Sequence, residues 1–171
     1  MRNIWLYSDP HLLHKHILTF KNSKGDLMRP FSNVDEMNEF ILEKHNSVVK
    51  DGDIVYCLGD VFFGDKDEFS KLWNRFNGSK RLIVGNHDDV KFLAKGNFFK
   101  KINMWRMFTE FGLLLTHVPV NYLSIPFKDG IQFKNIHGHT HDKSSPEGNY
   151  QSVCLEVIDY TPVNIEEVRI Q

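Results

Sequence analysis

The sequence predicts an α/β protein, on three observations. Short apolar runs of strand length alternate with segments of helical period over the first hundred residues, turn signals separate them, and beyond that point apolar runs follow one another with only turns between. Residues 4–8 read as a short buried strand. Residues 35–48 follow the helical period, with Met37, Phe40, Ile41, the Lys44 stem and Val48 on one side and Ser32-Asn33 as the N-terminal signal. Asp51-Gly52-Asp53 then turns the chain into a strand at 54–58. A helix at 67–76 carries Phe69, Leu72, Trp73 and Phe76 on its inner face, stops at Asn77-Gly78, and leads to a strand at 81–84. A short helix is expected at 90–95. Strands at 102–108 and 113–116, joined by a turn at Glu110-Phe111-Gly112, and two more at 131–137 and 152–160 make the second half meander. Asn164-Ile165-Glu166-Glu167 has the capping spacing of a short final helix.

Composition narrows the function classes. At 171 residues, with 41% hydrophobic and 25% charged positions, the chain fits one domain over residues 1–171. A domain of that size buries roughly 70% of the surface its unfolded form exposes. A net charge of -1 supplies no global basic field to draw duplex nucleic acid by counterion release, so any steering must be local. Cys57 and Cys154 both sit inside apolar runs, which predicts core thiols and a reducing, cytoplasmic compartment. The opening run Arg2-Asn3-Ile4-Trp5-Leu6-Tyr7-Ser8 is too short for a signal peptide or a membrane span, and no membrane association is expected. There is no P-loop and no Gly-x-Gly-x-x-Gly, which excludes the usual phosphate-cradling loops.

Chemistry concentrates in five motifs: Asp9-Pro10-His11, Gly59-Asp60, Gly85-Asn86-His87-Asp88, His117, and Gly138-His139-Thr140-His141. Each falls at the end of an apolar run. Asp9 and His11, like His139 and His141, are two residues apart, and in extended backbone such residues project to one side, so each pair can aim two ligands at one point. Gly59 and Gly138 permit sharp strand ends. A carboxylate such as Asp60 can bridge two cations, while neutral imidazoles and the Asn86 amide oxygen complete the shells without cancelling the metal charge. An isolated Asp-x-His or Gly-Asp is ordinarily a turn. Gly-Asn-His-Asp after the buried run Leu82-Ile83-Val84, and Gly-His-Thr-His after Asn135-Ile136-His137, are more specific, and their joint order points to a binuclear site.

Together the motifs resemble the signature of the calcineurin-like metallophosphoesterase superfamily, and the resemblance runs from Asp9 to His141. It implies a calcineurin-like sandwich, central mixed β-sheets flanked by helices, with the motif loops along one edge. It implies further that Asp9, His11 and His141 hold one metal, that Asn86, His117 and His139 hold a second, that Asp60 bridges them, and that His87 is the general acid. Two divalent transition metal ions are then expected, manganese first, with iron, nickel, cobalt or zinc as alternatives. Such a pair, about 3.5–4 Å apart, lowers the pKa of a bridging water from roughly 15.7 towards 7 and clamps the phosphoryl oxygens during in-line attack. Arg29-Pro30-Phe31 and Asp35-Glu36-Met37-Asn38, with the short chain, look like the small bacterial and phage phosphoesterases.

Protein Ser/Thr phosphatases of that superfamily carry Gly-Asp-x-x-Asp-Arg-Gly and Gly-Asn-His-Glu. Here Gly59-Asp60 runs on as Val61-Phe62-Phe63-Gly64 and the other motif ends in Asp88, which disfavours a protein phosphatase. Asp88 is the adjacent candidate to orient His87, or a cap for the helix beginning at Val90. His14 and Arg29 are candidate substrate contacts, Arg29 being equally suited to a structural ion pair. His45 reads as a surface or helix-end residue and His137 as a hydrogen-bonded core histidine. The expected function is hydrolysis of a small phosphate ester or nucleotide, a phosphodiester before a monoester. The alternatives are a nuclease, hinted at by Trp105-Arg106 and Lys100-Lys101, and a catalytically silent scaffold of the same fold.

Overall fold

A computed structural model describes residues 2–170. Its first sheet contains β1 (Ile4–Tyr7), β2 (Ile54–Cys57), β3 (Ser79–Ile83), β4 (Lys101–Asn103) and the late β11 (Val163–Asn164), in the order β11-β1-β2-β3-β4. β1 to β4 are parallel and β11 is antiparallel to β1. The crossovers between them carry α1 (Val34–Val48), α2 (Lys66–Trp73) and α3 (Val90–Lys95). The second sheet is also mixed. Its strands are β5 (Trp105–Phe108), β6 (Leu113–Thr116), β9 (Lys134–His137) and β10 (Tyr150–Ser152), in the order β10-β9-β6-β5. A small hairpin of β7 (Phe127–Lys128) and β8 (Ile131–Gln132) precedes β9.

Two apolar cores explain why β1, β2 and the end of β3 read as apolar runs. Tyr7, Val55, Cys57 and Leu82 face Met37, Ile41, Phe69 and Trp73 of α1 and α2. Leu6, Tyr56, Leu58 and Ile83 face the second sheet through Phe108, Leu113, Leu115 and Ile136. Strands buried on both faces have no polar side to alternate with. The result is the predicted α/β sandwich of two mixed sheets flanked by helices. No described helix is long and apolar enough to cross a membrane.

The N-terminal signals of the first and last helices act as read, while α2 ends at Trp73, before the expected Asn77-Gly78 stop. Asn33 caps α1 by accepting from the Glu36 amide, and the Glu36 carboxylate accepts from the Ser32 amide. Asn164 and Glu167 form a full capping box for α4 (Ile165–Val168). Both cysteines are buried and free.

Four expectations need correction. The run 102–108 is two strands: the chain bends at Met104 and passes from the edge of the first sheet to the edge of the second. The run 131–137 divides at Phe133 into a hairpin arm and β9. In 152–160 only Ser152 is in a strand. The remainder is a turn region in which Asp159 and Tyr160 take positive φ, and its buried apolar residues, Val153 to Leu155, reflect burial rather than sheet pairing. Finally, His45 lies in the last turn of α1, as one of its two readings had it, but not at the surface. It is 1% exposed, edge-on to Tyr7 and Phe76, and its Nε2–H donates to Asn77 O while Nδ1 has no partner.

Burial therefore holds the His45 pKa down to about 4, against about 6.5 for a free imidazole. Its stabilising share is complete above pH 6.5 and is lost as pH falls towards 4, because only the unfolded chain takes up that proton in this window. The expected loss is roughly 3 kcal/mol. Urea midpoints from pH 7 to 4 check it: His45→Gln should flatten the acid limb relative to the wild type, and parallel limbs would contradict the assignment.

Candidate metal centre

All the predicted ligands follow the carboxyl ends of five strands. Asp9 and His11 follow β1, Asp60 follows β2, Asn86 follows β3, His117 follows β6, and His139 and His141 follow β9. These ends lie along one edge of the sandwich, where open α/β sheets place their ligands. Two trios result, Asp9 with His11 and His141, and Asp60 with His117 and His139, each with ligand atoms within 4.8 Å of one another.

The pairs are not aimed by extended backbone, as the two-residue spacing suggested. Asp9, His11, Asp60, His139 and His141 all take left-handed φ, from 47° to 69°. The ligands therefore stand in turns beyond the strands, and the convergence comes from backbone that L-residues adopt at a cost of about 1–2 kcal/mol each. Interlocked hydrogen bonds hold these turns: the His11 amide donates to Asp60 O, the Asp9 amide to Gly59 O, and the His139 amide to Asp9 Oδ2. Gly59, at φ +96°, makes the turn before Asp60. At Gly138 the requirement is space, since a Cβ there would strike Ser8 Oγ and Asp9 Oδ2.

Hydrogen bonding leaves one face of Asp9, His11, His117 and His141 turned to the centre. Asp9 Oδ2 accepts from Ser8 Oγ and the His139 amide, while Oδ1 is buried with no protein partner. His117 Nδ1–H donates to Leu58 O at 2.7 Å, freeing Nε2, which lies 3.5 Å from Asp60 Oδ2 and 2.9 Å from Asn86 Oδ1. His141 Nδ1–H donates to Glu156 Oε1 at 3.0 Å, and its Nε2 lies 3.9 Å from Asp9 Oδ1. His11 Nδ1 shares a hydrogen bond with His14 Nδ1 at 3.1 Å, and its Nε2, buried without a partner, is 3.7 Å from Asp9 Oδ1 and 3.9 Å from Asp60 Oδ2. Fixing one ring nitrogen so that the other faces a cation is the usual support of a metal-binding histidine. The residues fit two cations, with Asp60 Oδ2 between the trios.

Electrostatics agree. Burial favours the neutral acid at Asp9, but His11, His117, Ser8 and His141 hold its carboxyl well below the usual range. Asp60 is likewise lowered, burial being overcome by its contacts with His117 and the His87 amide. At His117 and His141 burial is outweighed by Asp60 and Glu156 respectively, with Asp9 adding to both, and their pKa values rise. Two ionised carboxylates favour cations here, and if two divalent ions were bound the pair would leave them net positive charge.

Several candidates sit elsewhere than the sequence suggested. Asp88 does not cap α3; Asp89 does, accepting from the Phe92 amide. The Asp88 carboxylate instead accepts from the backbone amides of Gly85, Asp60 and Val61, pinning the loops after β2 and β3 together. Arg29 is fully buried, and all its donors are taken: by Glu156 Oε1, by the carbonyls of Pro10 and Asp9, and by Met37 Sδ. It forms the structural ion pair and braces the Asp9 turn. His14 is half-buried beneath His11, and burial with the neighbouring His11 lowers its pKa to about 4. His137 is a core histidine, as read, hydrogen-bonded to Gly138 O and Ser145 Oγ.

Three supporting residues were missed. Ser8 and Glu156 carry no motif of their own. Phe63 stacks on His11 and His14 and leans on His87, with centroids 4.8, 4.3 and 5.1 Å away. Its signal was available in the aromatic pair that follows Gly59-Asp60. Arg29→Met is expected to destabilise by roughly 3–5 kcal/mol, because Glu156 is left buried without its cation. Denaturant unfolding measures this. Unchanged stability with a raised KM would return Arg29 to the substrate.

Two hollows flank the centre. One, of about 680 Å³, includes Asn86 and His117 in its wall; the other, of about 470 Å³, includes His139, His141, Lys21 and Lys143.

Comparison with known proteins accords with this geometry. The family described as Calcineurin-like phosphoesterase matches residues 2–165. The uncharacterized protein MJ1445 of Methanocaldococcus jannaschii is 36% identical over 176 residues, covering 97% of this chain and 89% of that protein. The Gene 66 protein of Mycobacterium phage L5 is 36% identical over 91 residues, which are 52% of this chain and 41% of that protein. Among solved structures, the protein of unknown function AQ665 from Aquifex aeolicus aligns with a TM-score of 0.71 at 25% identity, covering 98% of each chain.

Proposed function

The chain belongs to the calcineurin-like phosphoesterase family, and from that premise we propose that it is a binuclear, metal-dependent phosphodiesterase acting on a small phosphate ester. The observation that carries the reading is the set of pinned imidazoles, His11, His117 and His141, each holding one nitrogen in a hydrogen bond and turning the other to a carboxylate. Asp9, His11 and His141 would hold one ion and Asn86, His117 and His139 the other, with Asp60 shared. Two divalent ions bound there would supply Lewis acidity at the phosphoryl oxygens and would lower the pKa of a bound water towards neutrality. Manganese is the first candidate, then iron, nickel, cobalt or zinc.

The protein's own groups do the rest. His87 is exposed, its backbone amide is fixed to Asp60 Oδ1 at 2.9 Å, and its ring leans on Phe63, so the imidazole stands at the rim beside the shared carboxylate. In this reading it donates a proton to the departing alkoxide. Asp88 acts on it indirectly by holding the loop that carries it. A diester is preferred because it has two organic arms and the centre has a hollow on either side. The metal-loaded protein is expected to turn over bis(4-nitrophenyl) phosphate faster than 4-nitrophenyl phosphate. A kinetic comparison across manganese, iron, nickel, cobalt and zinc tests this, and a consistent monoester preference would overturn the diester assignment.

A further inference from the structure

We infer that the larger hollow, beside Asn86 and His117, receives a hydrocarbon or aryl arm of the ester. This rests on the phosphoesterase reading. The floor comes from an antiparallel pair in which Trp105 stands opposite Thr116 and Met107 opposite Leu114. These four share one face, and the alternate residues Phe108, Leu113 and Leu115 point into the core between the sheets. The outer face of such a pair is ordinarily polar. Here it is apolar, and it runs to Trp105 and Met104, which are 59% and 69% exposed. Val84 and Val118 continue the wall to the metal centre, so a ligand whose phosphate lies at Asn86 and His117 has this cavity as its next contact. A volume of about 680 Å³ suits a small-molecule arm.

The wall also selects against a nucleobase. Thr116 Oγ1 donates to Val118 O and accepts from Asn135 Nδ2, so its hydrogen bonds are used within the protein. Asn86 and His117 face the metal trios. Beyond these the wall offers only the Ser124 hydroxyl and the Trp105 indole N–H, too little for the several donors and acceptors of a base edge, which would be buried unsatisfied. A flexible, polarisable lining of two methionines and a tryptophan instead suits a hydrocarbon surface.

The test is calorimetric titration of the metal-loaded protein with methylphosphonate, hexylphosphonate, phenylphosphonate and thymidine 5′-phosphonate, each carrying one arm. Hexyl and phenyl are expected to bind roughly 10- to 100-fold tighter than methyl, with a negative heat-capacity change, and thymidine no tighter than methyl. Met107→Glu should bring the hexyl-to-methyl ratio towards one. If that variant fails to fold, Trp105→Ser, at an exposed position, should lower the same ratio. Equal affinities across the series, or thymidine binding tightest, would overturn the inference while leaving hydrolysis intact. A dimer in sedimentation whose Trp105 fluorescence resists an aqueous quencher would also overturn it, giving the cavity to a second copy of the chain. Phosphonates that bind in the expected order to a protein that hydrolyses no ester would sustain the pocket and sink the enzyme. Failure of every phosphonate to bind would sink both.

Discussion

Asp60→Asn is expected to lower phosphodiester turnover by at least about 10³-fold, the equivalent of about 4 kcal/mol of transition-state stabilisation. The substitution is nearly isosteric. Oδ1 can keep its hydrogen bond from the His87 amide, while Oδ2, which lies 3.5 Å from His117 Nε2 and 3.9 Å from His11 Nε2, is exchanged for an NH2 group that cannot ligate a cation. Because that oxygen lies between the trios, one atom should cost both ions. Replacement of a terminal ligand such as His139 should cost less. Steady-state kinetics with bound metal measured on the same samples decide it: an Asp60→Asn protein that holds two ions at full occupancy and full rate would remove the shared-carboxylate assignment.

His87→Asn is expected to leave fold and metal content nearly intact and to slow alkyl diesters by roughly 10²- to 10⁴-fold. Alkoxides are poor leaving groups and need the proton, whereas 4-nitrophenolate departs without it, so aryl esters should lose much less. The His87 ring is exposed and lies outside both trios, which supports a role separate from metal binding. The ratio of the two losses is the quantity to measure. Equal losses would make His87 a phosphate-positioning residue, and a fall in bound metal would make it a ligand.

The seven candidate ligands stood out because each sits in a motif at the end of an apolar run, and the structure brings six of them into two trios. Their geometry was not legible. The two-residue spacing suggested strand pleat, yet Asp9, His11, His139 and His141 converge through left-handed turns. That conformation is held by contacts with distant loops, and no local propensity encodes it. The same limit hid Glu156, which meets Arg29 across 127 residues of sequence and His141 across 15. An ion pair of that span has no periodicity to read.

For the fold, periodicity located the buried runs but could not say which sheet they join. Residues 102–108 are apolar enough for one strand, and the bend at Met104 that divides them between two sheets follows from closing the sandwich. Likewise Val153, Cys154 and Leu155 are buried, yet only the Cys154 bridge to Ser8 pairs them with a strand region. Composition records burial, while partner choice is a tertiary outcome.

The measurement that bears most directly on the binuclear account is a stoichiometric titration of chelator-treated protein with manganese, reading bound metal by elemental analysis and hydrolysis of bis(4-nitrophenyl) phosphate on the same aliquots. The account predicts two ions per chain, no turnover in the metal-free protein, and activity that rises to its plateau with the second equivalent. Full activity with one ion bound, or turnover that survives complete metal removal, would contradict it.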